Sequence, residues 1–239
     1  MKNKILNHST TITFIIMAIL FSISFAILIP IIFRPFYYCS IKLLDIEGQC
    51  GYSYSEIKEA YDDVMNFIWH GAEFKTGVFA YSEEGASHFK DCVPLFWLDL
   101  WVCIISFVYM MANFILVRFN ILEFKKYKGL HPLFYSGAII IVLVIIIGII
   151  AMIDFYKVFE AFHKIFFPGK DNWEFDENVD EVVKILPENF FALCAAWIGA
   201  HVLIFDICGI TYGIKTRKKG LGSVNSTVIE ETEKVEENE

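Results

Sequence analysis

Long apolar runs alternate with polar segments along this chain. Four stretches are almost wholly apolar, at 11–33, 94–119, 134–155 and 190–214. A helix that crosses a bilayer needs about 20 such residues, so each run predicts one transmembrane helix. None of them alternates apolar and polar positions as the strands of a membrane barrel do. The pattern therefore predicts an α-helical integral membrane protein with four transmembrane helices.

Two polar connections, 34–93 and 156–189, are too long to be simple turns. In the first, apolar residues recur at helical spacing over 53–71. Ser53 and Glu56 supply the capping box that begins a helix. We therefore expect an amphipathic helix over this stretch.

Short strands are predicted in the rest of these connections. One hairpin is expected from strands 77–81 and 87–89, and a second from strands 165–167 and 173–175. A short helix over 180–186 follows the second hairpin. Together the two connections are expected to build a small mixed α/β extracellular cap.

Composition and charge agree with this class and orient the chain. The protein has 239 residues, of which 56% are hydrophobic and 20% charged, with a net charge of −8. Basic residues cluster before the first run, between the second and third, and after the fourth, so both termini are predicted to be cytoplasmic. The expected organisation is an N-terminus and first helix over 1–33, a first cap segment over 34–93, helices two and three with a basic cytoplasmic loop over 94–155, a second cap segment over 156–189, helix four over 190–214 and a disordered cytoplasmic tail over 215–239.

Two histidines lie at matching depths in this arrangement. His88 comes shortly before the second run and His163 shortly after the third, so both fall just outside the membrane on the same side. A neutral imidazole accepts a proton and an imidazolium donates one near physiological pH. The pair therefore suits general acid and base catalysis on a lipid ester, although each ring could instead only bond a nearby carbonyl.

The segments around these histidines carry a resemblance to a known family. The stretch S-E-E-G-A-S-H-F-K-D at 82–91 and the pattern F-H-x-x-F-F-P-G-x-x-x-W-x-F-D-x-x-x-D at 162–180, together with four spans, resemble the lipoprotein intramolecular transacylases of Gram-positive bacteria, called Lit. The likeness covers most of the chain. It implies four transmembrane helices under an extracellular cap, with His88 and His163 as the catalytic residues.

The resemblance also implies a reaction. The sn-2 acyl chain of an S-diacylglyceryl cysteine moves to the α-amino group of the same cysteine, which gives a lyso-form lipoprotein. The partners would then be a diacylated lipoprotein and membrane lipid, and no cofactor is needed because an ester becomes an amide. Either histidine could serve as the base, with His163 the first choice and His88 supporting the oxyanion or protonating the leaving oxygen.

Aromatic residues near the two histidines suit a lipid-binding site. They are Tyr81, Phe89, Phe166, Phe167 and Trp173. Such rings could exclude water and hold acyl chains, but they could equally form an interfacial belt or fill the core of the cap.

Arg34 is a further candidate at the same depth. It ends the first apolar run, while Asp99 and Asp154 lie near the same ends of the second and third. We predict that Arg34 pairs with one of these aspartates and braces the cap, or that it contacts substrate.

Other functions fit the sequence less well. Cys39 and Cys50 could form a disulfide outside the cell, but the C-x-x-C motif of redox enzymes is absent. Zinc could be held by His70 together with the two catalytic candidates, although H-E-x-x-H spacing is missing and His70 suits a helix end. We therefore expect neither a metal nor a nucleic acid partner, and the alternative to an enzyme is a membrane scaffold with an acidic cap.

Overall fold

The computed structural model describes the backbone of residues 2–236 and the side chains of residues 7–217. This part of the chain is largely helical. Its elements are α1 (Lys2–Ile32), α2 (Arg34–Leu43), α3 (Ile46–Cys50), α4 (Tyr54–His70), α5 (Glu83–Arg118), α6 (Pro132–Ile153), α7 (Phe155–Phe166), a 3-10 helix η1 (Glu181–Ile185) and α8 (Glu188–Glu236).

Four of these helices are long and apolar enough to cross a membrane, which confirms the predicted number. The spanning stretches are Asn7–Ile32, Glu83–Arg118, Pro132–Ile153 and Glu188–Arg217. The second spanning helix, α5, begins at Glu83 rather than at residue 94, where the apolar run begins, because the helix continues through Pro94.

The last helix also runs further than the apolar pattern indicates. Its backbone is helical to Glu236, through the segment where the sequence predicts a disordered tail. Residues 237–239 of that segment lie outside the described residues.

The chain folds as two compact units. Unit 1 comprises Met1–Ser22, Ile104–Val144 and Val202–Glu239, and unit 2 comprises Ile23–Cys103 and Ile145–His201. In unit 1, buried Phe14, Met110 and Phe124 form an apolar core. Both histidines of interest belong to unit 2.

Unit 2 is built around the amphipathic helix that the sequence predicts. The Ser53 side chain accepts from the backbone N–H of Glu56, and the Glu56 carboxylate accepts from the backbone N–H of Ser53. The predicted capping box is therefore confirmed. The apolar face of α4 is buried, and Tyr61 on this face stacks on Tyr37 of α2 with ring centroids 3.7 Å apart. The Tyr37 hydroxyl donates to the Ile185 carbonyl at 2.6 Å, which ties η1 to this core.

The predicted β-structure of the cap is wrong. No strand occurs between residues 2 and 236. Residues 77–81 form a turn followed by irregular backbone, and residues 87–89 lie inside α5. Residues 165 and 166 lie inside α7, while 173–175 are a turn, a bend and irregular backbone. The short alternating stretches did not decide the structure, because a helix N-cap formed by tertiary contacts lets α5 begin before the span. The short helix expected over 180–186 is present as η1.

The predicted partner of Arg34 is also wrong. Its guanidinium donates to Asp62 at 2.9 Å and to Asn66 at 2.7 Å, both on α4. Asp154 instead caps α7, where it accepts from the Lys157 backbone N–H at 3.1 Å. Arg34 therefore fastens α2 to α4 inside the cap, which agrees with bracing but not with the aspartates chosen.

Candidate active site

The N-terminus of α5 is held by a residue distant in sequence. The Ser82 hydroxyl accepts from the Gly85 backbone N–H at 2.9 Å, as an N-cap does. Asp180, which is only 6% exposed, accepts from the Ser82 backbone N–H at 2.7 Å and from its hydroxyl at 2.8 Å. This contact fixes the first turn of the helix that carries His88.

Glycine is required at position 85 for this arrangement. A Cβ added there would lie 2.3 Å from the Asp180 Oδ1 atom and 3.1 Å from the Phe175 ring. Only a residue without a side chain allows the Asp180 carboxylate to approach so closely.

The second histidine is presented by α7. In its last turn the His163 Nδ1 atom lies 2.7 Å from the Phe159 carbonyl oxygen. A carbonyl can only accept a hydrogen bond, so Nδ1 carries the hydrogen and Nε2 of the neutral ring keeps its lone pair. Local helix geometry therefore selects the tautomer that acts as a base through Nε2.

The two imidazoles face one another. Their ring centroids are 5.7 Å apart with an interplanar angle of 37°. His88 is 6% exposed and His163 is 7% exposed. The two rings are therefore close neighbours in one buried part of unit 2.

Aromatic rings enclose the pair. Phe167 lies 4.9 Å from the His88 ring and 5.8 Å from that of His163. Trp173 stacks on His163 with ring centroids 4.7 Å apart, and Phe89 makes a T-shaped contact with His88 with centroids 6.1 Å apart. Three of the five aromatic residues singled out in the sequence thus surround the histidines.

The other predicted ligand-binding residues lie elsewhere. Tyr81 is exposed, and its hydroxyl donates to the Phe74 carbonyl at 3.3 Å. Phe166 is exposed and packs on Phe162 at 4.7 Å. Among the described side chains, neither ring is one of those packed on the histidines, and Arg34 bonds α4 instead.

Burial sets the protonation state of His163. Desolvation lowers its pKa below the ordinary value of 6.5, and the bond to the Phe159 carbonyl opposes that shift only in part. The ring is therefore neutral at physiological pH, which is the form that accepts a proton.

His88 has a different environment. Its Nε2 atom lies 3.5 Å from the Cys92 sulfur, one helical turn further along α5. Its Nδ1 atom is buried without a hydrogen-bond partner in the described part of the chain. A buried polar atom without a partner is costly unless water or a ligand bonds it.

The loop after α7 is fastened to α5 by one carboxylate. Asp91 pairs with the Lys170 ammonium at 2.6 Å and accepts from the Asn172 amide at 3.0 Å. Trp173 follows directly, and its indole N–H donates to the Lys170 carbonyl at 3.0 Å. These bonds place the Trp173 ring against His163.

Metal and disulfide candidates do not come together. Among the described residues, no three histidine, cysteine or acidic side chains form a group that could hold a metal ion. Cys39 and Cys50 are both free thiols, and His70 is the last residue of α4.

Comparison with known proteins identifies the family. The family model for lipoprotein intramolecular transacylase Lit matches residues 12–191, which is most of the chain. The protein belongs to the Lit family. The matched range includes both histidines and the two sequence motifs that carry the resemblance.

Solved structures share the fold. A structure of the membrane integral lipoprotein intramolecular transacylase Lit from Bacillus cereus superposes with a TM-score of 0.80 at 22% identity, covering 90% of this chain and 97% of that one. Two structures of the same Bacillus cereus protein, each with one histidine substituted, superpose with TM-scores of 0.72 at 23% and 21% identity, covering 91% and 90% of this chain and 95% and 96% of theirs. No curated protein matches the chain.

Several neighbours of the Lit histidines were not identified from the sequence. Phe159 could have been found, because it precedes His163 by one helical turn. Cys92 would have followed from His88 in the same way had a helix been predicted there. Lys170 and Asn172 gave no signal, since their contacts with Asp91 are long-range.

Proposed function

We propose that this protein is a membrane transacylase that moves the sn-2 acyl chain of an S-diacylglyceryl-cysteine lipoprotein to the α-amino group of the same cysteine. Membership of the Lit family supports a lipoprotein substrate. The observation that carries the proposal is the pair of buried imidazoles, 5.7 Å apart and enclosed by aromatic rings. A diacylated lipoprotein and the surrounding lipid are the partners, and no cofactor takes part.

The chemistry depends mainly on orientation. The amine and the ester belong to one molecule, and attack of nitrogen on the ester carbon closes a ring of about eight members. Holding such groups in contact can supply a large part of the rate acceleration. Apolar walls such as Phe167 and Trp173 exclude water, which would otherwise hydrolyse the ester.

The structure supports distinct roles for the two rings. His163 presents an unprotonated Nε2, so it removes a proton from the substrate ammonium, whose ordinary pKa is about 8. The nitrogen lone pair then forms the N–C bond, and the carbonyl electrons move to oxygen. The attacking nitrogen still carries a positive charge and two hydrogens, so it loses a second proton as the C–O bond to glycerol breaks, and the glycerol oxygen takes up one proton. The net products are a neutral amide, a free hydroxyl and the proton first removed from the ammonium.

His88 acts as the donor in this scheme. When the Cys92 thiol donates to Nε2, the neutral ring carries its hydrogen on Nδ1, which has no protein partner in the described residues. That N–H can stabilise the oxyanion, and it can protonate the departing oxygen once Nε2 has taken up a proton, so that the ring stays neutral. The product is a lyso-form lipoprotein with an amide-linked chain.

The basic connections favour a site outside the cell. Lysines and arginines precede the first span, lie between the second and third, as at 125–128, and follow the fourth. By the positive-inside rule these ends and both termini are cytoplasmic. The histidines then lie at the extracellular surface of the cell membrane, where lipoproteins are displayed.

The test uses purified protein and a synthetic S-diacylglyceryl-cysteinyl peptide. Transfer leaves the mass unchanged but moves one acyl chain to nitrogen, so fragmentation by tandem mass spectrometry detects it. His88→Ala and His163→Ala should each lower the rate by about 10²- to 10⁴-fold.

A matched control separates chemistry from folding. His201 on α8 makes the same bond to a carbonyl four residues earlier, at 2.9 Å from Trp197, but it is not part of the facing pair. His201→Ala should keep near-normal transfer. Near-normal product from both His88→Ala and His163→Ala would contradict the proposal, and a wild-type protein without transfer would favour a scaffold.

A further inference from the structure

Asn172 lies in the loop after α7 and contacts α5, the helix that carries His88. Its amide donates to Asp91, which follows His88 by about one helical turn. Its chain neighbour Trp173 stacks on His163. Asn172 is therefore bonded to one histidine-bearing helix and adjacent to the ring that covers the other histidine.

The orientation of this amide is determined by its partner. Asp91 carries the Lys170 ammonium on one oxygen and the Asn172 Nδ2 atom on the other. An ionised carboxylate only accepts hydrogen bonds, so the Asn172 NH₂ group must face it. The carbonyl oxygen Oδ1 consequently points away from Asp91.

This Oδ1 atom is buried and has no hydrogen-bond partner among the described residues. Only four side-chain atoms there share this property, and a second is His88 Nδ1, on the helix that Asn172 contacts through Asp91. Buried polar atoms in folded proteins are nearly always bonded, and exceptions are found where a ligand binds. The unbonded acceptor Asn172 Oδ1 suits the substrate amine, and the unbonded Nδ1–H of His88 suits an ester oxygen.

We infer that Asn172 Oδ1 accepts an N–H of the substrate's α-amino group and so positions the nucleophile. This inference rests on the proposed function and adds a residue to it. An amide oxygen suits the task better than a carboxylate, because a carboxylate would stabilise the ammonium and oppose its deprotonation by His163. Lys170 already neutralises the nearby Asp91, which leaves the neutral amide to face the amine.

The experiment uses two unreactive ligands. Both are S-glyceryl-cysteinyl lipopeptides with an ether in place of the sn-2 ester, and one lacks the α-amino group. Their affinities are measured by competition with the reactive lipopeptide. Wild-type protein should prefer the amine-bearing ligand by roughly 10-fold or more, as expected for a hydrogen bond to a charged group.

Two substitutions at position 172 test the acceptor itself. Asn172→Ala should lower the preference for the amine several-fold, to what the contact with His163 alone supplies. Asn172→Gln keeps both the NH₂ group that Asp91 accepts and the acceptor oxygen, so it should retain more of the preference than Asn172→Ala.

Lys170→Met is the matched control. It removes the salt bridge to Asp91 but leaves Asn172, so the preference should persist. An equal loss of preference in Lys170→Met and Asn172→Ala would assign the effect to the position of the loop and overturn the inference. A preference that is undiminished in Asn172→Ala, or absent from the wild type, would overturn it too. If wild-type protein also fails to transfer the acyl chain of the reactive lipopeptide, the proposed function itself fails.

Discussion

Replacing Gly85 by alanine tests how the distant Asp180 positions the helix that carries His88. In an isolated helix this change is favourable, by at most about 1 kcal/mol, because alanine has the higher helix propensity. Here the added Cβ would lie 2.3 Å from the Asp180 Oδ1 atom. The carboxylate therefore has to move by about 1 Å to reach ordinary van der Waals contact.

That movement has a cost larger than the gain in propensity. The same oxygen accepts from the Ser82 backbone N–H at 2.7 Å and from the Ser82 hydroxyl at 2.8 Å. Hydrogen bonds to a charged group contribute about 1.5–3 kcal/mol each, and Asp180 is buried, so water does not replace them. We expect a net destabilisation of about 1–4 kcal/mol, which corresponds to a Tm lower by about 2–16 °C for a chain of this size.

The assay is thermal unfolding of the purified protein in detergent, with acyl transfer measured in parallel. If His88 has the proposed catalytic role, acyl transfer should fall by about 10-fold or more, because His88 lies one turn beyond Gly85 and misplacement of a catalytic group is costly. Gly148→Ala is the matched control, since a Cβ there meets nothing within 4 Å. A Gly85→Ala protein as stable as the wild type would refute the reasoning.

Three further predictions follow from the site and the cap. The pKa of His163 is lower in the folded state than in the unfolded state, so the unfolded state binds more protons as the pH falls through about 6.5. The free energy of unfolding should therefore decrease between about pH 7 and pH 5. His163→Gln should weaken this pH dependence, as measured by thermal unfolding. Trp173→Leu removes the ring stacked on His163 and should lower kcat by about 10-fold or more, with a smaller change in Tm. Arg34→Met breaks partly exposed bonds to Asp62 and Asn66, so the free energy of unfolding should fall by about 1 kcal/mol or less and the rate of acyl transfer should stay within a few-fold of wild type. A large loss of transfer with an unchanged Tm would instead indicate that Arg34 contacts the substrate.

Local pattern was sufficient for the membrane helices and for α4. An apolar run of about 20 residues has no stable alternative to a helix in lipid, because every backbone polar group must be satisfied within the segment. The capping box of Ser53 and Glu56 likewise acts over three residues and needs no distant partner. Both features were therefore readable before any tertiary contact was known.

The cap could not be read in this way. The first turn of α5 is completed by Asp180, 98 residues from Ser82. The stretch before Pro94 contains short alternating patterns, which by themselves favour a strand as much as a helix. The helix was thus decided by a long-range hydrogen bond, and with it the position of His88 one turn before Cys92.

The sequence by itself determined the four spans, the amphipathic cap helix and the candidate histidines with their family motif, since these depend on composition and on neighbours within a few residues. Only the tertiary structure decided that Arg34 bonds α4, that Phe167 and Trp173 enclose the imidazoles while Tyr81 and Phe166 do not, and that Asp91 holds Asn172 beside them. Those pairings join residues far apart in the chain. Their partners are selected by packing and burial, which no local pattern encodes.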